Sequence, residues 1–529
     1  MNKFTNKAWQ QYEAGKEYKR RIGLYETVSR NEAFYRGDQW KSGEGGDLPK
    51  PVFNLIRRVL DYLICSVASA DISIKFSDEN LPFADRKKER DAIIAATDAL
   101  SENAAYRWER TGMDRRLLSA LTDAAISGDG IFYCYWEPSL PSPQLYSGDI
   151  VTETCDNVNL FVANVNRADI QSQDYIILSG RSTVAQLRAE ARSFGVSEEE
   201  IKKIVADDDI AYQSGKLSRY ELSGAEDEKK ATYIIKFWKE DGKVCFEKST
   251  RECVIRRVRT ECHLYPVAYF NWMPTKNSFH GTSPVTALIP NQKYINRAYA
   301  MAMKHMTDTA FSKVIYDKSK IPEWSNEVGQ AIAAVGGGNI ADAVSVVRSG
   351  DMQNGYMELI ESAVTLTKDI MGATDSALGN LEADNTSAIL ALQETSKIPL
   401  RQIRTSFYRC IEELALIWAD MICAYYPNER LLPCKTFDSV VAKQTDLGVL
   451  KRNMLCATVD IAEVSRYSAA TAQSMLDKLL DGNFITAEEY VKRIPSGIIP
   501  ERQTLVEAIA ERIKAEEEAK EYFESTQKE

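Results

Sequence analysis

The sequence predicts a mainly helical α+β protein built from several domains. Three observations carry that reading. Apolar residues recur at helical spacing through the first third, short alternating or aromatic runs fill residues from about 145 to 275, and long helical stretches follow from 284 onward. With 529 residues, 44% hydrophobic and 27% charged, the chain is an ordinary folded protein with a prior of about three to four domains.

In the first third, "VFNLIRRVLDYLICSVASA" places Leu55, Ile56, Val59, Leu60, Leu63, Ile64 and Val67 on one helix face. Helical stretches around Asp91–Trp108 and Met113–Ser127 follow and stop at "SGDG", which introduces a strand, "IFYCYWEP". The middle region reads as strands "LFVANV", "DYIILSG", "ATYIIKFWKE", "KVCFEKS", "ECVIRRVRT" and "YPVAYFNW". A helical insert interrupts them after Ser182 or Thr183, either of which suits the N-cap.

Ser283 and Pro284 then suit the start of a long helix. On it Ile295, Ala298, Tyr299, Ala302, Met303, Met306 and Ala310 form a broad apolar arc. Lys293, Arg297 and Lys304 fall within roughly 40° of one another on the other side. A compact α/β excursion is expected next: strand "KVIYD", helix "PEWSNEVGQAIAAV", glycine turn "GGGN" and strand "AVSVVRS". A second long helix, "GYMELIESAVTLTKDIMGA", leads to a polar, acidic break and a third helix that Pro399 should kink. The last eighty residues read as a strand, "ATVDIAEVS", and three short helices.

Several functions are disfavoured by the residues present. No phosphate-cradling loop ends in Gly-Lys-Ser or Gly-Lys-Thr, and "GGGNIA" follows a helix and precedes a strand, the reverse of a dinucleotide site. Three histidines, ten scattered cysteines and no Cys-x-x-Cys give no metal signature, so no metal, cofactor or catalytic residue is expected. The opening residues lack the apolar run of a secretory signal, and the greasiest stretch, from Leu414, is broken by Asp420. A reducing cytosolic setting without a membrane span is therefore expected. Arg36-Gly37-Asp38 reads as a helix ending at a left-handed glycine rather than as a receptor ligand. The net charge of −10 argues against a surface that grips nucleic acid.

The order of these parts, with "YRGDQW", "HGTSPVTALIPNQKYIN" and "VDIAEVSRYSAATAQSMLDKLL", resembles the portal proteins of tailed bacteriophages over nearly the whole chain. The resemblance implies a wing (1–280), a first stem helix (281–312), a clip (313–350), a second stem helix (351–373) and a tunnel loop (374–388). A long kinked wing helix with its exit (389–448) and a crown (449–529) complete it. It also implies a non-enzymatic twelvefold ring at the unique capsid vertex, a conduit for genome packaging and ejection. The implied partners are the terminase large subunit, a head–tail adaptor, the major capsid and scaffolding proteins, and double-stranded DNA passing without sequence specificity. The implied location is the virion, after assembly in the host cytoplasm.

Within that frame the residues expected to face the channel or DNA are Lys293, Arg297 and Lys304 on the stem and Asp375, Glu382 and Asp384 in the tunnel loop. The stem cations could instead pair with acids of an adjacent subunit, Glu361 or Asp369. Trp324, expected at a helix start in the clip, is a candidate docking anchor for motor or adaptor, the other reading being a core residue of that small domain. Two other readings stay open: a cytosolic enzyme with an unrecognised active site, and another ring-forming virion connector.

Overall fold

The computed structural model describes residues 6–41, 43, 45–68, 71–83, 86–207, 229–309, 313–325, 327, 330–336, 339, 343–347, 355–373, 400–436, 439–450, 455–462, 466–482, 484–494, 505, 508, 509 and 512. Two compact units are present. The first gathers residues 1–32, 63–284 and 400–529; the second gathers 33–62 and 285–399.

The chain opens with α1 (Lys7–Arg21), capped by the Asn6 side chain, which accepts from Ala8 N. Then come α2 (Leu24–Arg36), α3 (Leu55–Ala68), strand β1 (Asp71–Asp78), α4 (Lys87–Arg110) and α5 (Met113–Ser127). The α3 periodicity holds: Ile56, Val59, Leu60, Leu63, Ile64 and Val67 are all buried. Strands β2 (Asp129–Glu137), β3 (Asp149–Thr154), β4 (Leu160–Val162) and β5 (Tyr175–Thr183) follow. The helical insert is α6 (Val184–Ser193), whose cap is Thr183 accepting from Gln186 N, and the short α7 (Glu198–Ile201). Strands β6 (Lys230–Glu240), β7 (Lys243–Ser249), β8 (Val254–Arg259) and β9 (Val267–Asn271) complete the β-rich region.

These strands form two antiparallel sheets. One has the order β3-β2-β9 and the other β4-β5-β6-β7-β8. The core of the first unit is α10 (Arg401–Tyr425), which lies on β9 and β2 and buries Phe407, Ile411, Leu414 and Trp418. Its polar exception has a clear task. Asp420, nearly buried, accepts from the backbone N–H of His263 (2.6 Å) and Leu264 (3.0 Å), so the acid interrupting the apolar run satisfies two otherwise orphaned donors. No helix among the described residues is long and apolar enough to cross a membrane. The expected kink at Pro399, and the residues before it, lie outside the described residues.

Beyond α10, β12 (Leu432–Thr436) and β13 (Ser439–Lys443) form a hairpin. Strand β14 (Leu455–Ala462) pairs antiparallel with β1, from Asp71↔Ala462 to Asp78↔Leu455. Helices α11 (Arg466–Asp481) and α12 (Ala487–Arg493) follow. The second has a reciprocal capping box between Thr486 and Glu489.

The second unit holds α8 (Pro284–Thr309), the hairpin β10 (Lys313–Tyr316) with β11 (Val344–Val347), and α9 (Gly355–Ile370). One expectation fails here. The segment 322–335 forms no helix among its described residues. Its apolar side chains lack a surface to cover them: Ile332 and Val335 are exposed, and Ile321 is the nearest buried anchor. A helix of that length is marginal without tertiary packing. Instead, Val335 N reaches back to Lys320 O and Asp317 N to Ala343 O.

The α+β class, mainly helical with small open sheets, is the one the sequence predicts. The Arg36-Gly37-Asp38 expectation also holds. Gly37 has φ +98°, Asp38 N bonds Ala33 O and Gly37 N bonds Phe34 O, a left-handed helix stop.

Candidate functional site

The motif "HGTSPVTALIPNQKYIN" is held at two places, one in each unit. In the first unit Asp129 is a fully buried hub. Its Oδ1 accepts from Tyr269 OH (2.8 Å), Asn271 Nδ2 (2.9 Å) and Gly281 N (2.7 Å). Its Oδ2 accepts from Asn157 Nδ2 (3.0 Å) and meets His280 Nδ1 at 2.7 Å. Burial pushes the Asp129 carboxyl up, but His280 and these donors outweigh it and hold it below the usual range. Gly281 is obligatory here, since an added Cβ would lie 2.8 Å from both Gly128 O and Asn271 Cβ. Ser283 Oγ donates to Ala125 O (2.6 Å), and Pro284 opens α8 as its position predicts.

In the second unit the same motif builds an amide lattice with "YRGDQW". Gln292 Oε1 accepts from Leu55 N (3.0 Å) and Ile56 N (3.3 Å), while its Nε2 donates to Phe53 O and Asn296 Oδ1. Asn296 Nδ2 donates to Gln39 Oε1 (2.6 Å). Gln39 Nε2 in turn donates to Phe34 O and Asn54 Oδ1, and Asn54 Nδ2 donates to Tyr35 O. Gln39, Gln292 and Asn296 are buried, so the lattice fixes the third and fourth turns of α8 with every amide used. Sequence reasoning did not find this lattice; the signal was that three of its four amides, Gln39, Gln292 and Asn296, lie inside two motifs already singled out.

The predicted cationic stripe sits on α8, but its members differ in surroundings. Lys293 Nζ lies 5.8 Å from the Phe34 ring centroid. Arg297 is exposed with no hydrogen-bond or ion-pair partner among the described residues. Lys304 Nζ is 3.5 Å from Asp308 Oδ1 one turn on, both side chains being about half exposed. The structure therefore pairs Lys304 within its own helix. Asp375, Glu382 and Asp384 lie outside the described residues.

The apolar arc of α8 is covered only at its start. Ile295 is buried, whereas Met303 and Met306 are 42% and 61% exposed, and Ala310 lies outside the described residues. Helix α9 is barer still. Ile360 and Thr367 are its buried residues, and Asn291 Nδ2 on α8 donates to Thr367 Oγ1 (3.2 Å). Beside that stripe runs another: Tyr356, Leu359, Ala363, Leu366 and Ile370, at alternating spacings of three and four. Its large members are 53–70% exposed. This seam was not anticipated, although its spacing is written in the sequence.

Trp324 is half-buried and outside any helix, stacked on Tyr316 with ring centroids 5.4 Å apart and planes 22° apart. Among the described residues no group of three His, Cys, Asp or Glu side chains is placed to hold a metal ion.

Residues 194–435 match the model of the phage P22-like portal protein family. A solved structure described as the neck of an empty GTA particle computed with C6 symmetry aligns with 88% of this chain and 94% of its own. Its TM-score is 0.37 and its identity 11%, too slight to bear an argument. Among curated proteins none matches. The resemblance to phage portal proteins read from the motifs is thus borne out over residues 194–435, which are similar to the phage P22-like portal protein family.

Proposed function

We propose that this chain is the repeating subunit of a phage portal, a twelvefold ring at the capsid vertex. DNA would enter during packaging through it and leave during ejection. The family match over residues 194–435 supports a structural role in a phage particle, and the observation that carries the ring is the uncovered α9 seam. A closed ring requires each subunit to offer one flank to its neighbour. An exposed row of Leu, Ile and Tyr at coiled-coil spacing is such a flank, and it is costly to leave in water.

In this reading α8 and α9 are the stem, residues 313–350 the clip, 374–388 the tunnel loop and 449–529 the crown. Twelve chains at −10 sum to −120, which favours a conduit that does not hold the duplex, since each neutralised phosphate adds a salt-dependent grip. Arg297, without a hydrogen-bond or ion-pair partner among the described residues, is the stem cation best placed to meet a neighbouring acid such as Glu361 or the passing backbone. Asp375, Glu382 and Asp384 would repel the duplex at the narrowest point. The clip, with Trp324, would dock the terminase motor and then the head–tail adaptor.

The test is the particle mass of the purified protein with negative-stain images of the same fraction. Twelve chains of 59.5 kDa make a ring of about 714 kDa with a central hole. A chain that stays monomeric at high concentration and with its scaffolding protein would overturn the proposal.

A further inference from the structure

A cavity of about 760 Å³ lies inside the first unit, walled by β2 on one side and β6, β7 and β8 on the other. Its lining is aromatic: Tyr133, Trp136, Phe194, Tyr233, Phe237 and Phe246 all face it. Two cations also line it, and they differ in one respect. Lys248 is neutralised, its Nζ 2.7 and 3.0 Å from the two carboxylate oxygens of Glu190. Arg256 is not. Its guanidinium lies 4.6 Å from the Phe194 ring centroid and 5.1 Å from that of Phe246. It makes no hydrogen bond or ion pair among the described residues, and its Nε is shut from solvent without a partner.

An arginine held between two rings, with its donors unused, is a receptor for an anion. The rings fix the plane of the fork, and a carboxylate arriving in that plane gains charge-assisted hydrogen bonds in a partly dry place. The volume exceeds what one side chain fills and falls in the range of about 300–1,000 Å³ of sites that enclose a ligand. Strand β8, which carries Arg256, is the last strand of its sheet, so an incoming peptide backbone finds an unpaired edge nearby.

We propose that this cavity docks a short peptide segment of a partner protein, with a bulky apolar side chain among the rings and an adjacent carboxylate on Arg256. None of the residues lining it belongs to α8 or α9.

The test uses the full chain with 8-anilinonaphthalene-1-sulfonate as reporter, displaced by acetyl-Leu-Phe-Asp-amide or acetyl-Leu-Phe-Asn-amide. In the unaltered protein the acidic tripeptide should displace the dye at a concentration at least about tenfold lower than its amide counterpart. Arg256→Gln, which keeps a long polar side chain at the same place, should abolish that preference. Ser193→Trp, an exposed position at the cavity rim, should remove one dye site per chain without lowering the thermal midpoint. Equal competition by the two tripeptides, a preference that survives Arg256→Gln, or an unchanged dye count in Ser193→Trp would overturn the proposal. So would displacement by naphthalene-1-acetate and by neither tripeptide, which would point to a free small acid.

Discussion

Replacing Leu359 and Leu366 together by Ala tests the α9 seam directly. The two side chains are 53% and 58% exposed in the single chain, so truncation leaves the folded monomer with little to lose. Each substitution removes three side-chain carbons, of which a neighbour would newly cover about half. At about 0.8 kcal/mol per buried methylene, that is roughly 1.2 kcal/mol per residue and about 2.5 kcal/mol per subunit contact. Each contact in the ring would weaken by about 60-fold. Mass photometry across a concentration series should show the ring fraction moving to higher concentration by that order, with the thermal midpoint of the dilute monomer unchanged. Thr365→Ala on the same helix, an exposed polar position outside the seam, is the control and should shift assembly little. An unaltered assembly curve for the double variant would refute the argument that this seam meets a neighbour.

Asp129→Asn removes a charge on which five donors converge, and should cost about 3–5 kcal/mol, read as faster amide exchange across residues 278–283. Gln292→Leu strands the N–H groups of Leu55 and Ile56, and should cost about 2–4 kcal/mol, with faster exchange at those two amides. The pH dependence has a defined sign at Glu413, which burial pushes up to about 7. The folded chain keeps a proton there that the unfolded chain releases, so this contribution is complete below the ordinary glutamate value and is lost as pH rises towards 7. Glu413→Gln should flatten that decline in urea unfolding midpoints, leaving the similar share of Asp123, also raised to about 7 by burial. Trp324→Ala should weaken capture of motor or adaptor protein in a pull-down without dispersing the ring, because Trp324 stacks on Tyr316 and not on the α9 seam; a dispersed ring would contradict this.

Where a segment carries its own signal, the sequence was legible. "KVCFEKS" is β7 residue for residue, and Thr183 caps α6 as its spacing requires. The alternation Ile72, Ile74, Phe76 in β1 was equally visible, but its partner β14 is most of a chain away, and only that pairing makes it a strand. Residues 322–335 misled for the opposite reason. Their composition suits a helix, yet Ile332 and Val335 stay partly exposed, at 38% and 59%, and packing decides over propensity. At the candidate site, the stripe of Lys293, Arg297 and Lys304 follows from helical geometry alone. The pairing of Lys304 with Asp308, the lattice around Gln292 and the Asp129 hub depend on contacts between distant segments, which periodicity does not encode.

The antiparallel pair β1–β14 has a consequence for the order in which the molecule is made. A ribosome releases Asp71–Asp78 early, but the partner strand, Leu455–Ala462, emerges only after more than 370 further residues. Helix α10, the centre of the same unit, is also late. The second unit is inserted between these halves and can fold while the first still waits for closure. Chains interrupted before about residue 460 would carry both an unfinished sheet edge and a finished α9 seam, the state most prone to wrong association. Emergence of β14 would thus act as a checkpoint, after which the first unit can close on β1.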